Sequence, residues 1–178
     1  AEWDAPYPTG LEYVRTHVPD TVPGMRALRR RLHAAGGHSC VGSHSVPENI
    51  LRDYRAHDLP TPERIYGWDS DPERRKPAPW PIYQIERELG LRPEQLVVID
   101  DLKPGKDMAD RAGVDFIAAG WTHTVPHLLE TMQCICPHSF RPVAELPEPL
   151  PDATDGKTWT LGRTCPHPPR TPTPRPGG

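Results

Sequence analysis

Apolar residues recur along the chain with two alternating rhythms. Met25, Leu28 and Leu32 fall on one face of a helix that opens at Pro23-Gly24, runs to Ala35 and is stopped by Gly36-Gly37. His38 to Gly42 then reads as a short strand that runs into Ser43-His44-Ser45. Pro47 starts a second helix, with Ile50, Leu51 and Tyr54 at core spacing, which ends near Asp58. After the turn Leu59-Pro60-Thr61-Pro62, a second strand is predicted from Arg64 to Trp68.

The alternation continues. Ile82, Ile85, Glu86 and Leu89 mark a helix that starts at Pro79 or Pro81 and stops at Gly90. Leu96-Val97-Val98-Ile99 is a continuous apolar run, as expected of a strand buried on both faces, and it ends in Asp100-Asp101. A helix from about Gly105 to Ala112, a strand from Phe116 to Ala119 and a helix from about Val125 to Met132 complete the pattern. Strands alternating with helices of this length imply βαβ units, and so an α/β fold: a doubly wound, three-layer, Rossmann-like parallel sheet with helices on both faces.

The ends do not share this pattern. Residues 1–21 carry aromatic and proline residues without a clear period and read as an upstream remnant, and the start at Ala1 rather than Met suggests entry in mid-protein. Residues 22–150 form the predicted core. From 151 to 178 prolines crowd the sequence and apolar residues thin out, so this stretch is expected to be a disordered Pro-rich tail.

Composition narrows the function classes. The 178 residues carry a net charge of -3, which gives no basic excess to attract nucleic acid or an anionic membrane. Arg29-Arg30-Arg31 reads as the solvated side of the first helix. No stretch approaches the ~20 apolar residues needed to span a bilayer, and no leader pattern opens the chain. The cysteines at 40, 134, 136 and 165 are too few and too irregular for a disulfide framework, so the cytoplasm is the expected compartment. Cys134, Cys136 and His138 would give only three soft ligands with no second cluster, and they are expected to close a small hydrophobic edge.

Candidate chemistry collects at the carboxyl ends of successive strands, where a doubly wound sheet builds its sites. Ser43 follows the first strand, Lys76 lies in the loop after the second, and Asp100 and Asp101 end the third. Adjacent carboxylates repel unless a cation neutralises them, and their hard oxygens suit Mg2+. Each residue also has a plain structural role open to it: Ser43 or Ser45 as a cap for the helix at Pro47, Lys76 as a solvated loop cation.

In this chain order the set resembles the haloacid dehalogenase-like (HAD) hydrolases, over roughly residues 22 to 133. His38-Ser39-Cys40-Val41-Gly42-Ser43 is similar to that family's second motif and Lys76-Pro77-Ala78-Pro79 to its third. Val97-Val98-Ile99-Asp100-Asp101, with Gly105, Met108, Ala109, Ala112 and Gly113-Val114 downstream, is similar to its acidic fourth. The resemblance implies a Mg2+-dependent phosphatase acting on a small phosphorylated metabolite. Ser43 and Lys76 would be catalytic: Ser43 would donate a hydrogen bond to a phosphoryl oxygen, and Lys76 would neutralise the phosphoryl group and the attacking carboxylate. Asp101 would ligate Mg2+, and Asp100 would ligate it or hold its water.

One part of the family pattern is missing. HAD enzymes use a first motif, an aspartate nucleophile with a second aspartate two residues on, carried by a central strand. The acids before Ser43 are Glu2, Asp4, Glu12 and Asp20, and none forms Asp-x-Asp. Asp69-Ser70-Asp71 has the spacing but comes after the second motif, and it reads as loop. The expectation is therefore a HAD-like sheet without its first central strand, between the strands at 38 to 42 and 96 to 99. The chain alone would be inactive. The alternative is a non-catalytic, HAD-like pseudoenzyme or metal- and phosphate-binding regulatory module. A receiver-type signalling domain also has an acidic pair, but Ser43 and Lys76 stand in the wrong chain order for it. Tyr7, Tyr13 and His17 could be cap remnants or packing residues, and Trp121 and His123 are placed to line the site mouth.

Overall fold

The computed structural model describes residues 7–69, 71–122, 124–136 and 139–140, without the side chains of 7–11 and 139–140. The helices are α1 (Tyr7–Thr16), α2 (Met25–Ala34), α3 (Pro47–Ala56), α4 (Trp80–Leu89), α5 (Lys103–Ala112) and α6 (Pro126–Ile135). The strands are β1 (Cys40–Gly42), β2 (Arg64–Tyr66), β3 (Val97–Asp100), β4 (Asp115–Ala119) and β5 (Ser139–Phe140). The Pro-rich region beyond 150 lies outside the described residues.

Every strand pairing is parallel, as the alternation of strands and helices requires. The strands form two sheets, β1-β2 and β3-β4-β5, and neither β1 nor β3 has a strand on its other edge among the described residues. In the larger sheet Val98 stands opposite Phe116 and Ile99 opposite Ile117. Side chains alternate across a strand, so these two pairs point to opposite faces.

Helices cover both faces, which makes the three layers. On one, Ile82 of α4 packs with Met108 and Ala109 of α5 and with Val114, against Leu96, Val98 and Phe116. On the other, Leu28 of α2 packs on Ile117, with Val22, Met25, Val97 and Trp121 around them. Trp121, expected at the site mouth, is partly buried against this cluster, where its ring is worth more than in water. Of the residues expected to close a hydrophobic edge, Cys136 is buried with Ala118 and Met132, Cys134 faces solvent, and His138 lies outside the described residues, as does Cys165.

Two glycines set where helix gives way to strand. Gly90 and Gly113 end α4 and α5 with φ of 66° and 74°, a left-handed conformation that a residue with a Cβ rarely adopts. Each donates its N–H back to the helix, and the next residue, Leu91 or Val114, bonds the carbonyl of Glu86 or Ala109. After Gly113 the chain passes directly into β4, which carries the loop that meets Asp101.

The first segment departs from expectation. Residues 7 to 16, read as aperiodic, form α1, and the Arg52 guanidinium of α3 donates to the carbonyls of Val14, Arg15 and His17 at its end. Those carbonyls have no partner inside the helix, so a cation there satisfies them and the helix dipole together.

Candidate active site

The site is built where β1, β2 and β3 end. Just past β1, the Ser43 N–H donates to the Tyr66 carbonyl at 2.9 Å, continuing the ladder between β1 and β2 by one bond. The Ser43 hydroxyl accepts from the Ser45 N–H at 3.0 Å. It thus closes the turn that precedes α3, whose own cap position is held by Val46 without a side-chain bond. Neither serine caps α3 through its side chain.

The turn is coupled to the loop after β2. The Ser45 carbonyl accepts from the Trp68 N–H at 2.9 Å, and His44 Nε2 lies 2.9 Å from the Lys76 carbonyl. Gly67, between them, is packed so closely that a Cβ there would lie 2.7 Å from both the Ser45 carbonyl oxygen and Pro47 Cδ. Asp69 Oδ1 accepts from the Asp71 N–H and Asp71 Oδ1 from the Glu73 N–H. These two acids serve local turns, as the loop reading expected; Ser70 lies outside the described residues.

Lys76 reaches across from this loop to the other sheet. Its Nζ stands 2.6 Å from Asp100 Oδ2, with side-chain exposures of 14% and 10%, so the ion pair is largely withdrawn from water. A charge-assisted bond of this kind is worth about 1.5–3 kcal/mol, and either partner left alone there would be an uncompensated charge. Asp100 Oδ1 accepts from the Leu102 N–H at 3.1 Å, which ties the carboxylate to the start of α5.

Asp101 is held separately. The Thr122 hydroxyl, 2.9 Å from Asp101 Oδ2 and 3.1 Å from the Ala119 carbonyl, has one proton to donate between these two acceptors. The fold therefore brings Lys76 against Asp100, holds Asp101, next in the chain, on Thr122, and joins Ser43 to Lys76 through its neighbour His44. Thr122 and His44 are the residues that sequence reasoning passed over. Thr122 follows β4 at the same rim as the other three, and that position was the available signal.

The donor set fits a hard cation. Two carboxylates on consecutive residues supply hard oxygen donors, and Mg2+ takes one or two carboxylates with its remaining places filled by water and phosphate. Among the described residues no group of three or more His, Cys, Asp or Glu side chains could hold a metal ion, so water and phosphate would have to complete any shell at Asp100 and Asp101. Cys40, at the start of β1, is a packing thiol: burial pushes it up from the usual thiol range, away from the thiolate that chemistry would need.

No protein-family model and no curated protein matches this sequence. Solved structures do. CbbY from Rhodobacter sphaeroides, in complex with phosphate, aligns at 26% identity and a TM-score of 0.52, over 61% of this chain and 50% of its own. A HAD-superfamily hydrolase of subfamily IA from Geobacter sulfurreducens aligns at 17% identity and a TM-score of 0.52, over 70% and 60%. A phosphonoacetaldehyde hydrolase-like protein from Oleispira antarctica aligns at 20% and 0.52, over 64% and 41%.

The fold is HAD-like. This chain spans about half the length of the HAD-like structures it matches, and what it holds is a partial HAD-like core: parallel strands with helices on both faces, split between β1 and β3. Among the described residues no helix is long and apolar enough to cross a membrane. His123, the other residue expected at the site mouth, lies outside the described residues. Tyr13 stacks on His17 at 3.9 Å between ring centroids, on an exposed surface.

Proposed function

We propose that this chain carries the metal- and phosphate-binding half of a Mg2+-dependent HAD-like phosphatase that acts on a small phosphorylated metabolite. The observation that carries the proposal is the contact between Lys76 Nζ and Asp100 Oδ2, which joins the ends of two sheets that share no hydrogen-bonded strand. The phosphate complex of the CbbY structure supports the ligand class.

Asp101 and Asp100 would hold Mg2+, which when bound supplies positive charge to a phosphoryl oxygen. Lys76 would supply a second positive charge, as a compact ammonium that can leave Asp100 for a phosphoryl oxygen. The Ser43 hydroxyl donates a hydrogen bond while its lone pair keeps the Ser45 N–H, so it can bind phosphate without losing the turn. These groups position and neutralise; none of them is the attacking group.

The carboxylate nucleophile would come from outside these residues. A strand between β1 and β3 would join the two sheets, and an acid at its carboxyl end would stand between Ser43 and Asp101. It would also cover Ile99, which is 39% exposed on β3. The absence of Asp-x-Asp before Ser43 equally favours a second reading, a regulatory module that binds Mg2+ and phosphate without turnover.

The test is a phosphatase assay with Mg2+ on a panel of phosphorylated metabolites. The 178-residue chain is expected to show no turnover. A longer form with an apolar strand ending in Asp-x-Asp is expected to turn over, and to lose activity with Lys76→Ala. Mg2+-dependent hydrolysis by the chain alone, abolished in Asp101→Ala, would overturn the assignment of the nucleophile; no turnover by the longer form would leave the regulatory module.

A further inference from the structure

We propose that His44 is the positioning residue for Lys76: by holding the Lys76 carbonyl it sets the ammonium against Asp100. The significance of this rests on the phosphoryl-binding role given to Lys76 above, but its geometry does not.

Lys76 sits at the end of a loop whose other bonds are mostly internal. Arg75 donates to the Asp69 carbonyl, Arg74 pairs with Asp71 at 3.6 Å, and the Ala78 N–H returns to the Arg75 carbonyl at 2.8 Å. These bonds shape the loop, whose start is tied to the Ser45 carbonyl by the Trp68 N–H at 2.9 Å. Around Lys76 itself, two residues from outside the loop take successive carbonyls. His44 Nε2 takes that of Lys76 at 2.9 Å, and Arg111 Nη1 of α5 takes that of Pro77 at 3.1 Å. One comes from the β1 side of the split and the other from the β3 side, so the lysine backbone is gripped where the two halves meet.

A carbonyl can only accept, so the His44 ring carries its proton on Nε2, and this bond is available to both the neutral and the charged ring. The ring is also steadied by Trp68, which meets it edge-on at 6.3 Å between centroids. Arg111 holds Pro77 and leaves the carbonyl before it to His44. The Lys76 side chain starts from that peptide unit, so loosening it shifts every atom out to Nζ.

The test uses the full chain without any ligand. Lysines are acylated by a limiting amount of an amine-reactive ester, and the rate at each is mapped by peptide mass spectrometry. His44→Ala is expected to speed acylation of Lys76 about five-fold, the equivalent of one ordinary hydrogen bond. Lys103 and Lys106 of α5 should not change. Glutamine places its amide nitrogen as many bonds from Cβ as Nε2 of histidine, and asparagine one fewer. His44→Gln should therefore restore protection and His44→Asn should not. An unchanged Lys76 rate in His44→Ala, or equal rates in the Gln and Asn variants, overturns the proposal. If His44→Ala loosens the whole chain, Lys103 and Lys106 report it, and the Gln and Asn pair decides. Binding of Mg2+ with inorganic phosphate is measured separately. Protection that follows His44 without such binding would sink the proposed function and leave the positioning role standing.

Discussion

Gly105 leaves the space that the Asp100 carboxylate occupies: a Cβ built on Gly105 would lie 2.5 Å from both Cβ and Oδ2 of Asp100. The glycine stands in the first turn of α5, where alanine would ordinarily stabilise a helix by up to about 1 kcal/mol. Here the sign should reverse. Asp100 is also bonded to Lys76 and Leu102, so it cannot retreat without breaking the ion pair. Gly105→Ala is expected to destabilise the chain by about 1–3 kcal/mol in chemical denaturation and to weaken Mg2+ binding; a stabilised variant would show that Asp100 has room to move.

The ion pair itself is open to a double-mutant cycle. Removing Lys76 leaves Asp100 charged and mostly shielded, so Lys76→Met alone should cost about 1–3 kcal/mol, and Asp100→Asn alone a similar amount. The double variant should lose less than the sum, because neither partner remains stranded. Strict additivity in urea unfolding would mean that the two groups do not interact in solution.

Much of this was legible in the chain. The apolar run Leu96 to Ile99 reads as a buried strand, and the structure makes it β3, with Val97 and Val98 packed on opposite faces. Among the described residues the strands form two sheets, β1-β2 and β3-β4-β5. Other features were hidden for physical reasons. Pro8 and Gly10 interrupt the periodicity of α1, whose end is satisfied by Arg52, 35 residues or more away in sequence. His44, Thr122 and Gly105 act through contacts with Lys76, Asp101 and Asp100, and a side-chain pattern along one element carries no trace of a partner on another.

Tyr66 should give the chain a distinct loss of stability at high pH. Burial of its hydroxyl, helped by the Glu88 carboxylate and Cys40, pushes its pKa from 10.0 up to about 12. The folded state then holds the proton more tightly than the unfolded state. The stabilisation is complete below about pH 10 and is lost as pH rises towards 12. Tyr66→Phe removes this dependence, so the stability difference between the two proteins should narrow or reverse across that window. A difference that stays constant from pH 8 to 12 would show the hydroxyl to be in ordinary contact with water.

Whether Asp100, Asp101, Lys76 and Ser43 form a working half-site within these residues is decided by calorimetry on the 178-residue chain. Mg2+ is titrated with and without inorganic phosphate, against Asp101→Ala. Mg2+ is expected to bind, more tightly with phosphate, and binding is expected to be lost in Asp101→Ala. No binding heat from a chain that melts cooperatively, or equal binding by Asp101→Ala, would contradict it.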